Sequence, residues 1–131
     1  YDFCELPPAT ISGHVYEDRN NDGVRQTSER LIPNVTVELY DADNNRVGIV
    51  QTDSQGYYQF TFLRPGTYRL VEQQPSGYLD GKDRAGTILG QTVGIADIDG
   101  DAIRQIVLPK GRDAINYDFG ELRSGSITGQ V

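Results

Sequence analysis

Residues 18–29, DRNNDGVRQTSE, carry oxygen-bearing side chains at the spacing of a twelve-residue calcium loop. Loop positions 1, 3, 5 and 12 hold side-chain ligands, position 7 offers its backbone carbonyl, and Gly23 at position 6 permits a sharp bend. The predicted ligands are the side chains of Asp18, Asn20, Asp22 and Glu29 and the carbonyl of Val24. Calcium is a hard cation that takes six to eight such oxygens.

The alternative for this segment is a solvated acidic loop with an Asp-Gly turn. Position 8, usually apolar in loops that join two helices, is Arg25, which indicates a loop that joins strands. Two carboxylates about 4 Å apart repel by ~1 kcal/mol in water and by ~4 kcal/mol at an effective dielectric of 20. Four side-chain ligands and the glycine at matching positions therefore favour Ca²⁺ over a solvated turn.

A second acidic segment, ADIDGDA at residues 96–102, offers a weaker metal site at Asp97, Asp99 and Asp101, with Asp80 and Asp83 upstream. No terminal glutamate follows at the position that would complete a calcium loop. A solvated turn is the favoured interpretation of this segment, and a second metal site is the alternative.

Composition limits the possible partners. The 131 residues include 12 Lys plus Arg against 19 Asp plus Glu, for a net charge of −7. Nucleic-acid binding is not expected, because phosphate contacts need clustered basic residues. No apolar stretch approaches the length that spans a membrane, so membrane insertion is not expected either. Because Cys4 is the only cysteine, the chain cannot form an internal disulfide. A bound metal is one alternative means of stabilising a small extracellular domain.

Residue patterns typical of enzymes are missing from the sequence. His14 is the sole histidine and falls on a predicted strand, and no serine-hydrolase, zinc-protease or phosphate-binding motif is present. The paired carboxylates are explained by calcium. The sequence therefore predicts a protein without catalytic activity.

The two ends of the chain are similar to each other. YDFCELPPATISGHV begins at Tyr1 and YDFGELRSGSITGQV begins at Tyr117, and eight of the fifteen positions are identical. This self-similarity predicts a tandem array with a period near 116 residues. We expect residues 1–10 to be the closing strand or joint of a preceding repeat, residues 11–122 to be one repeat domain, and residues 123–131 to begin the next.

Alternation of apolar and polar residues predicts an all-β fold. The predicted strands cover residues 11–16, 35–40, 47–52, 57–62, 67–73, 102–108 and 115–122. Seven or eight short strands at this spacing indicate a β-sandwich. Tyr58, Phe60 and Phe62 are expected on one buried face, and residues 77–100, rich in Gly and Asp, are expected to be mostly loop.

The order of these motifs resembles the B-type repeat of serine–aspartate repeat adhesins and the wider collagen-adhesin B-type group. The similarity rests on GHVYEDRNNDG, VTVELYD, TDSQGYYQF, LRPGTY and PSGY, within residues 11–78. It implies a prealbumin-like Greek-key sandwich, calcium in the loop and an extracellular location at a cell surface. It also implies a spacer role, with neighbouring repeats as partners.

Some domains of the wider group form an isopeptide bond between a lysine on the first strand and an asparagine on the last, aided by a buried acid. Glu72 and Asn116 match two of these three positions. The first strand has no lysine, since Lys82 and Lys110 are the only two in the chain, so the crosslink is not expected. The remaining interpretation of Glu72 is a hydrogen-bonded polar residue at a strand end.

Two functions fit the sequence. The first is a calcium-stabilised structural spacer, and the alternative is an adhesin module that itself binds a host or cell-surface protein or glycan. An exposed aromatic patch would favour the second. The tyrosines do not supply one in this prediction, because Tyr58 and Tyr68 share a face with apolar residues.

Overall fold

The computed structural model describes residues 9–18, 29–97 and 101–123. Within these ranges the chain forms strands and no helix. The strands are β1 (Ala9–Glu17), β2 (Thr36–Tyr40), β3 (Arg46–Gln51), β4 (Tyr57–Leu63), β5 (Gly66–Glu72), β6 (Tyr78–Arg84), β7 (Thr87–Ile88), β8 (Gln91–Thr92), β9 (Ile95–Ala96), β10 (Ala102–Leu108), β11 (Asp113–Ile115) and β12 (Asp118–Arg123).

The strands form two sheets. The order β3-β2-β5-β10-β9 makes the first sheet, and β6-β12-β1-β11-β7-β8 makes the second, with β4 on the free side of β1. Apolar side chains from both sheets fill the space between them, as expected for a sandwich. The fully or almost fully buried members include Ile11, Val15, Val37, Leu39, Tyr58, Leu70, Ile103, Ile106, Leu108, Tyr117 and Phe119.

Strand β1 is the centre of the second sheet. Its first half pairs in parallel with β11 and its second half in parallel with β12, while β4 pairs with it from the other side in antiparallel fashion. The predicted strand over residues 115–122 is interrupted in the structure. Asn116 has φ 64°, so the chain cannot stay extended there, and β11 and β12 are two pieces.

Two expectations from the sequence are wrong. Residues 77–100 are not mostly loop, because this stretch contains β6 and three two-residue strands. Strand β6 is polar and pairs along one edge of β12, so apolar alternation does not reveal it. Phe62 is not buried with Tyr58 and Phe60 but is 81% exposed, because its φ of 59° breaks the alternation of side chains along β4.

Gly13 allows β1 to approach the residues between β11 and β12. A Cβ atom on Gly13 would lie 1.8 Å from the carbonyl oxygen of Tyr117, far inside contact distance. The Tyr117 carbonyl also accepts a 2.6 Å hydrogen bond from the Tyr58 hydroxyl, so it cannot move without breaking a buried contact. Close packing of the backbone at position 13 therefore requires glycine.

We predict that Gly13→Ala destabilises the fold by at least ~2 kcal/mol, near the upper part of the range for overpacked sites. Urea denaturation of the purified chain measures this free energy of unfolding. Gly66→Ala is the matched control, because the nearest atom to its added Cβ lies 3.9 Å away. Equal stability of the two variants would contradict the close approach.

Candidate metal centre

Four carboxylates meet between the two sheets. One oxygen from each side chain lies within 4.8 Å of the oxygens of the other three. We call this set the acidic quartet, and its members are Glu72, Asp83, Asp101 and Glu121. Glu72 ends β5 and Asp101 immediately precedes β10 in one sheet, while β6 and β12 of the other sheet carry the remaining two. The quartet therefore joins the two layers of the sandwich.

Strand geometry brings the quartet together. Tyr68, Leu70 and Glu72 share the buried face of β5, so Glu72 points between the sheets. The Glu72 amide donates to the carbonyl of Asp101 at 2.8 Å, which joins the end of β5 to the start of β10. These contacts hold two of the four carboxylates in place from the same sheet.

The other two carboxylates depend on an irregular register between β6 and β12. The pairing shifts between Phe119, opposite Asp83, and Glu121, opposite Asp80. Gly120 lies at this shift, and a Cβ atom there would be 2.6 Å from the carbonyl oxygen of Lys82. A glycine at this place thus lets the two strands approach while the bulge places Glu121 in the core.

Two members of the quartet are buried and two are partly buried, and the buried pair is short of hydrogen-bond donors. Glu72 is 3% exposed and Glu121 is 0% exposed. Neither oxygen of Glu72 receives a hydrogen bond from a donor group of the described residues. Glu121 accepts one 2.6 Å bond from the side-chain amide of Gln74 through Oε1, while its Oε2 receives none from these residues. Buried ionised oxygens in this condition are costly unless a cation or a proton joins them.

Burial and mutual repulsion raise the pKa values of Glu72, Asp83 and Glu121. Burial raises the pKa of Glu72 well above its ordinary range, and the adjacent Glu121 carboxylate adds to the effect. Burial is also the largest cause at Asp83, whose pKa rises to about 9, and at Glu121, whose pKa rises to about 6. Asp80, beside the quartet, has its pKa raised to about 7 by burial and by Asp101.

The donor set fits a hard divalent cation. Calcium–oxygen distances of about 2.3–2.6 Å place opposite ligand oxygens about 4.6–5.2 Å apart, and the quartet oxygens lie within 4.8 Å of one another. Four carboxylates offer up to eight oxygens, whereas nitrogen and sulfur ligands, which zinc often uses, are missing from the quartet. An acidic cluster of this kind could hold a metal ion, with calcium or magnesium as the matching chemistry.

The structure describes two residues of the predicted calcium loop, Asp18 and Glu29. Asp18 is fully buried, and its amide donates to the Glu121 carbonyl at 2.8 Å. Glu29 is buried, and the Glu17 amide donates to the Arg30 carbonyl at 2.7 Å, which closes the base of the loop. Loop positions 1 and 12 therefore lie next to this closed base. Asn20, Asp22 and Val24 lie outside the described residues, so the ligand set remains a prediction.

The weaker predicted site is only partly represented in the quartet. Asp101 belongs to the quartet, whereas Asp97 accepts a 2.6 Å hydrogen bond from the Arg104 side chain, and Asp99 lies outside the described residues. Sequence reasoning missed the participation of Glu72 and Glu121. One signal was available for Glu72, since it continues the inward-facing series of Tyr68 and Leu70 and a charge at such a position needs a partner.

The lysines and the asparagine compared with the isopeptide pattern lie on the surface. Lys82 lies on β6, Lys110 lies between β10 and β11, and Asn116 lies between β11 and β12, and all three are exposed. The His14 Nδ1 atom lies 3.8 Å from an Asp118 carboxylate oxygen. Cys4 lies outside the described residues.

With this geometry established, the chain can be compared with known proteins. A model of the SdrD B-like domain matches residues 9–121. The chain belongs to the SdrD B-like domain family. This confirms the resemblance that the loop and strand motifs indicated.

Two relatives of this SdrD B-like chain are serine-aspartate repeat-containing proteins. Protein F of Staphylococcus epidermidis is 32% identical over 114 residues, which cover 87% of this chain and 6% of that protein. Protein D of Staphylococcus aureus is 32% identical over 117 residues, which cover 89% of this chain and 8% of that protein. The chain thus spans 6–8% of the length of these relatives.

A solved structure confirms the fold class. The minor pilin GBS52 of Streptococcus agalactiae superimposes with a TM-score of 0.55 at 15% identity, over 91% of this chain and 47% of that chain. The predicted prealbumin-like β-sandwich of the SdrD B-like chain is therefore correct. None of its described residues form a helix long and apolar enough to cross a membrane.

We predict that the calcium-free chain becomes less stable as pH rises from about 4 to about 9. Glu72, Asp83 and Glu121 have raised folded-state pKa values, so the folded state holds more protons than the unfolded state and loses stability as those protons leave. Thermal melting in resin-decalcified buffers should show the melting temperature falling by several degrees across this window. Millimolar calcium should flatten the decline at the alkaline end, and an identical decline with and without calcium would contradict a metal in the quartet.

We also predict opposite effects of Glu72→Gln in the two conditions. Without calcium the variant should melt at a higher temperature than the parent, because an uncharged amide removes repulsion and can donate to Glu121. With calcium it should gain less than the parent does, because one ligand charge is gone. Glu38→Gln, on the neighbouring strand β2 and away from the quartet, is the control and should leave the calcium response unchanged. An unchanged calcium increment in Glu72→Gln would count against the site.

Proposed function

We propose that this chain is a non-enzymatic, calcium-stabilised structural repeat that acts as a spacer in the stalk of an extracellular bacterial surface protein. The observation that carries the proposal is the parallel pairing of the first and last strands. Val15, Tyr16 and Glu17 of β1 lie opposite Phe119, Gly120 and Glu121 of β12. The chain therefore enters the domain at one end of the sandwich and leaves it at the other.

Such an arrangement suits domains linked end to end. The start of β1 and the paired end of β12 are separated by the eight residue steps from Ala9 to Glu17, or roughly 26 Å at about 3.3 Å per residue. A domain with adjacent termini would instead form a side branch on a stalk. Membership of a family found in serine-aspartate repeat-containing proteins, and the repeated sequence blocks at Tyr1 and Tyr117, support the same role.

Calcium is proposed to act where the chain leaves the sandwich. The loop starting at Asp18 and the acidic quartet both contact β12, since the Glu121 carbonyl accepts the Asp18 amide while the Glu121 side chain belongs to the quartet. A bound ion would neutralise carboxylates that otherwise repel, and it would hold β5, β6, β10 and β12 together. The residues themselves supply the ligand oxygens and exclude water from them by burial.

Calcium binding at both places would add stability that grows with the logarithm of the calcium concentration once that concentration exceeds the dissociation constant. Extracellular calcium modules bind with dissociation constants of about 10⁻⁴–10⁻³ M. A site exposed to calcium at 100 times its dissociation constant gains about 2.7 kcal/mol, and a site nearer that constant gains less. Calcium should stabilise the chain more than magnesium does, because magnesium requires near-octahedral geometry and retains water molecules.

We predict that the calcium response divides between the two sites. Asp22→Ala should remove the contribution of the loop, Glu72→Gln should diminish that of the quartet, and the double variant should retain only the residual calcium response of the weakened quartet. Differential scanning calorimetry of the 131-residue chain measures these increments. A parent chain whose melting temperature ignores calcium would overturn the calcium part of the proposal.

The alternative role, direct binding of a protein or glycan, has one observation in its favour. Phe62 is exposed beside a groove of about 530 Å³. A glycan array and a pull-down with host extracellular proteins test this alternative on the single chain. Specific capture that is lost in Phe62→Ser would favour the adhesin module over the spacer.

A further inference from the structure

The repeated sequence blocks place successive repeats very close together. Aligning Tyr117 with Tyr1 makes Gly125 equivalent to Ala9, the first residue of β1. Strand β12 ends at Arg123, so one residue, Ser124, separates it from the position where the next β1 would begin. Two residue steps span at most about 7 Å. A joint of this length brings the end of one sandwich against the start of the next.

The surface at the start of β1, which we call the upstream pole, is formed by two turns. Ala9 pairs with Leu63 at the β4–β5 turn, and the Thr10 amide donates to the Arg112 carbonyl in the β10–β11 loop. The exposed basic side chains of these two turns are Arg64, Lys110 and Arg112. Three acids lie near them: Asp113 accepts a 2.8 Å hydrogen bond from Thr10, Asp41 accepts bonds from backbone amides of its own turn, and the exposed Asp43 lines the same groove as Phe62.

Phe62 makes the upstream pole unusual. It is 81% exposed, and its φ of 59° lies in the left-handed region that bulky residues avoid. Together with Leu63, Pro65 and Tyr68 it lines the groove of about 530 Å³, which also reaches the β2–β3 turn. A strained backbone that presents an aromatic ring to solvent favours a surface shaped for contact.

The opposite surface, which we call the downstream pole, is acidic. It lies where β1 and β12 end and β6 begins. Its carboxylates are Glu17, Asp18, Glu29, Glu72, Asp80, Asp83, Asp101 and Glu121, and its exposed basic side chains among the described residues are Arg30 and Lys82. One divalent ion in the loop and one in the quartet would add four positive charges to these two, against eight negative charges, so the pole stays acidic with calcium bound. Leu79, half exposed beside the end of β12, offers apolar surface at the same pole.

We propose that the upstream pole of each repeat, with Phe62 at its centre and Arg64, Lys110 and Arg112 around it, docks on the downstream pole of the preceding copy. The inference rests on the proposed tandem arrangement and adds a specific interface to it. The three basic side chains around Phe62 would face the acidic downstream pole, and the short joint holds the poles at contact distance. Burial of Phe62 in the joint explains why an exposed ring is retained on a strained backbone.

A two-copy chain tests the interface. Residues 1–124 followed directly by residues 9–131 reproduce the joint, because Ser124 then precedes Ala9. With calcium present, we expect this chain to melt several degrees above the 131-residue chain, and to lose part of that increment at high salt because surface charges are screened. Equal melting temperatures for the one-copy and two-copy chains would overturn the interface.

Position-matched variants make the test specific. The combination Phe62→Ser, Arg64→Glu, Lys110→Glu and Arg112→Glu should abolish the increment when placed in the second copy, whose upstream pole faces a partner. The same combination in the first copy should leave the increment in place, because that pole has no preceding copy. Equal effects in both copies would show simple destabilisation and overturn the proposal.

A solution-scattering measurement separates this proposal from the spacer function. A two-copy chain that is extended and calcium-stabilised, yet without a melting increment, would retain the spacer role and reject the interface. A two-copy chain whose melting temperature does not change with calcium would instead reject the calcium-dependent spacer, whether or not the two poles dock.

Discussion

Repulsion among buried carboxylates is the constraint on which this domain depends. Glu72 and Glu121 are buried where a sandwich would ordinarily place apolar residues, and Asp83 and Asp101 bring two further carboxyl groups into the same small volume. Protons can relieve this repulsion at low pH, and a divalent ion can do so at neutral pH. Strands β5, β10 and β12 are held by apolar packing over much of their length and β6 by its pairing with β12, whereas all four depend on charge neutralisation at the end where the quartet lies. Conditions that remove both protons and ions would weaken that end first.

Backbone packing explains how polar groups reach the interior without breaking the sheets. Glycine at positions 13 and 120 lets neighbouring strands approach within distances that any side chain would block. The close approach at Gly13 leaves the Tyr117 carbonyl in reach of the Tyr58 hydroxyl, and the approach at Gly120 accompanies the register shift beside Glu121. The core and the acidic quartet thus depend on the same central strands, β1 and β12. A change that separates these strands would disturb apolar packing and the carboxylates together.

The sequence predicted those parts of the molecule that depend on local pattern. Alternation along residues 102–108 gave the bounds of β10 correctly, and the family motifs gave the sandwich class. Alternation failed at Phe62, where the residue type does not indicate a positive φ, and at Asn116, whose residue type tolerates a positive φ without by itself predicting one. It also failed for β6, whose stability comes from pairing with β12 rather than from an apolar face. The quartet could not be predicted from spacing, because three members lie on the separate strands β5, β6 and β12 and the fourth precedes β10, so that their proximity is set by the fold.

Parallel pairing of β1 with β12 has a mechanical consequence. In a stalk under tension, force would be applied to the two strands from opposite ends of the sandwich, along the strand axes. The hydrogen bonds between them would then be loaded in shear and would have to break nearly at once, instead of opening one after another as in a peeled hairpin. Glu121 and Asp18 lie at the end of the paired segment of β1 and β12. An ion bound beside them would therefore resist sliding of one strand past the other.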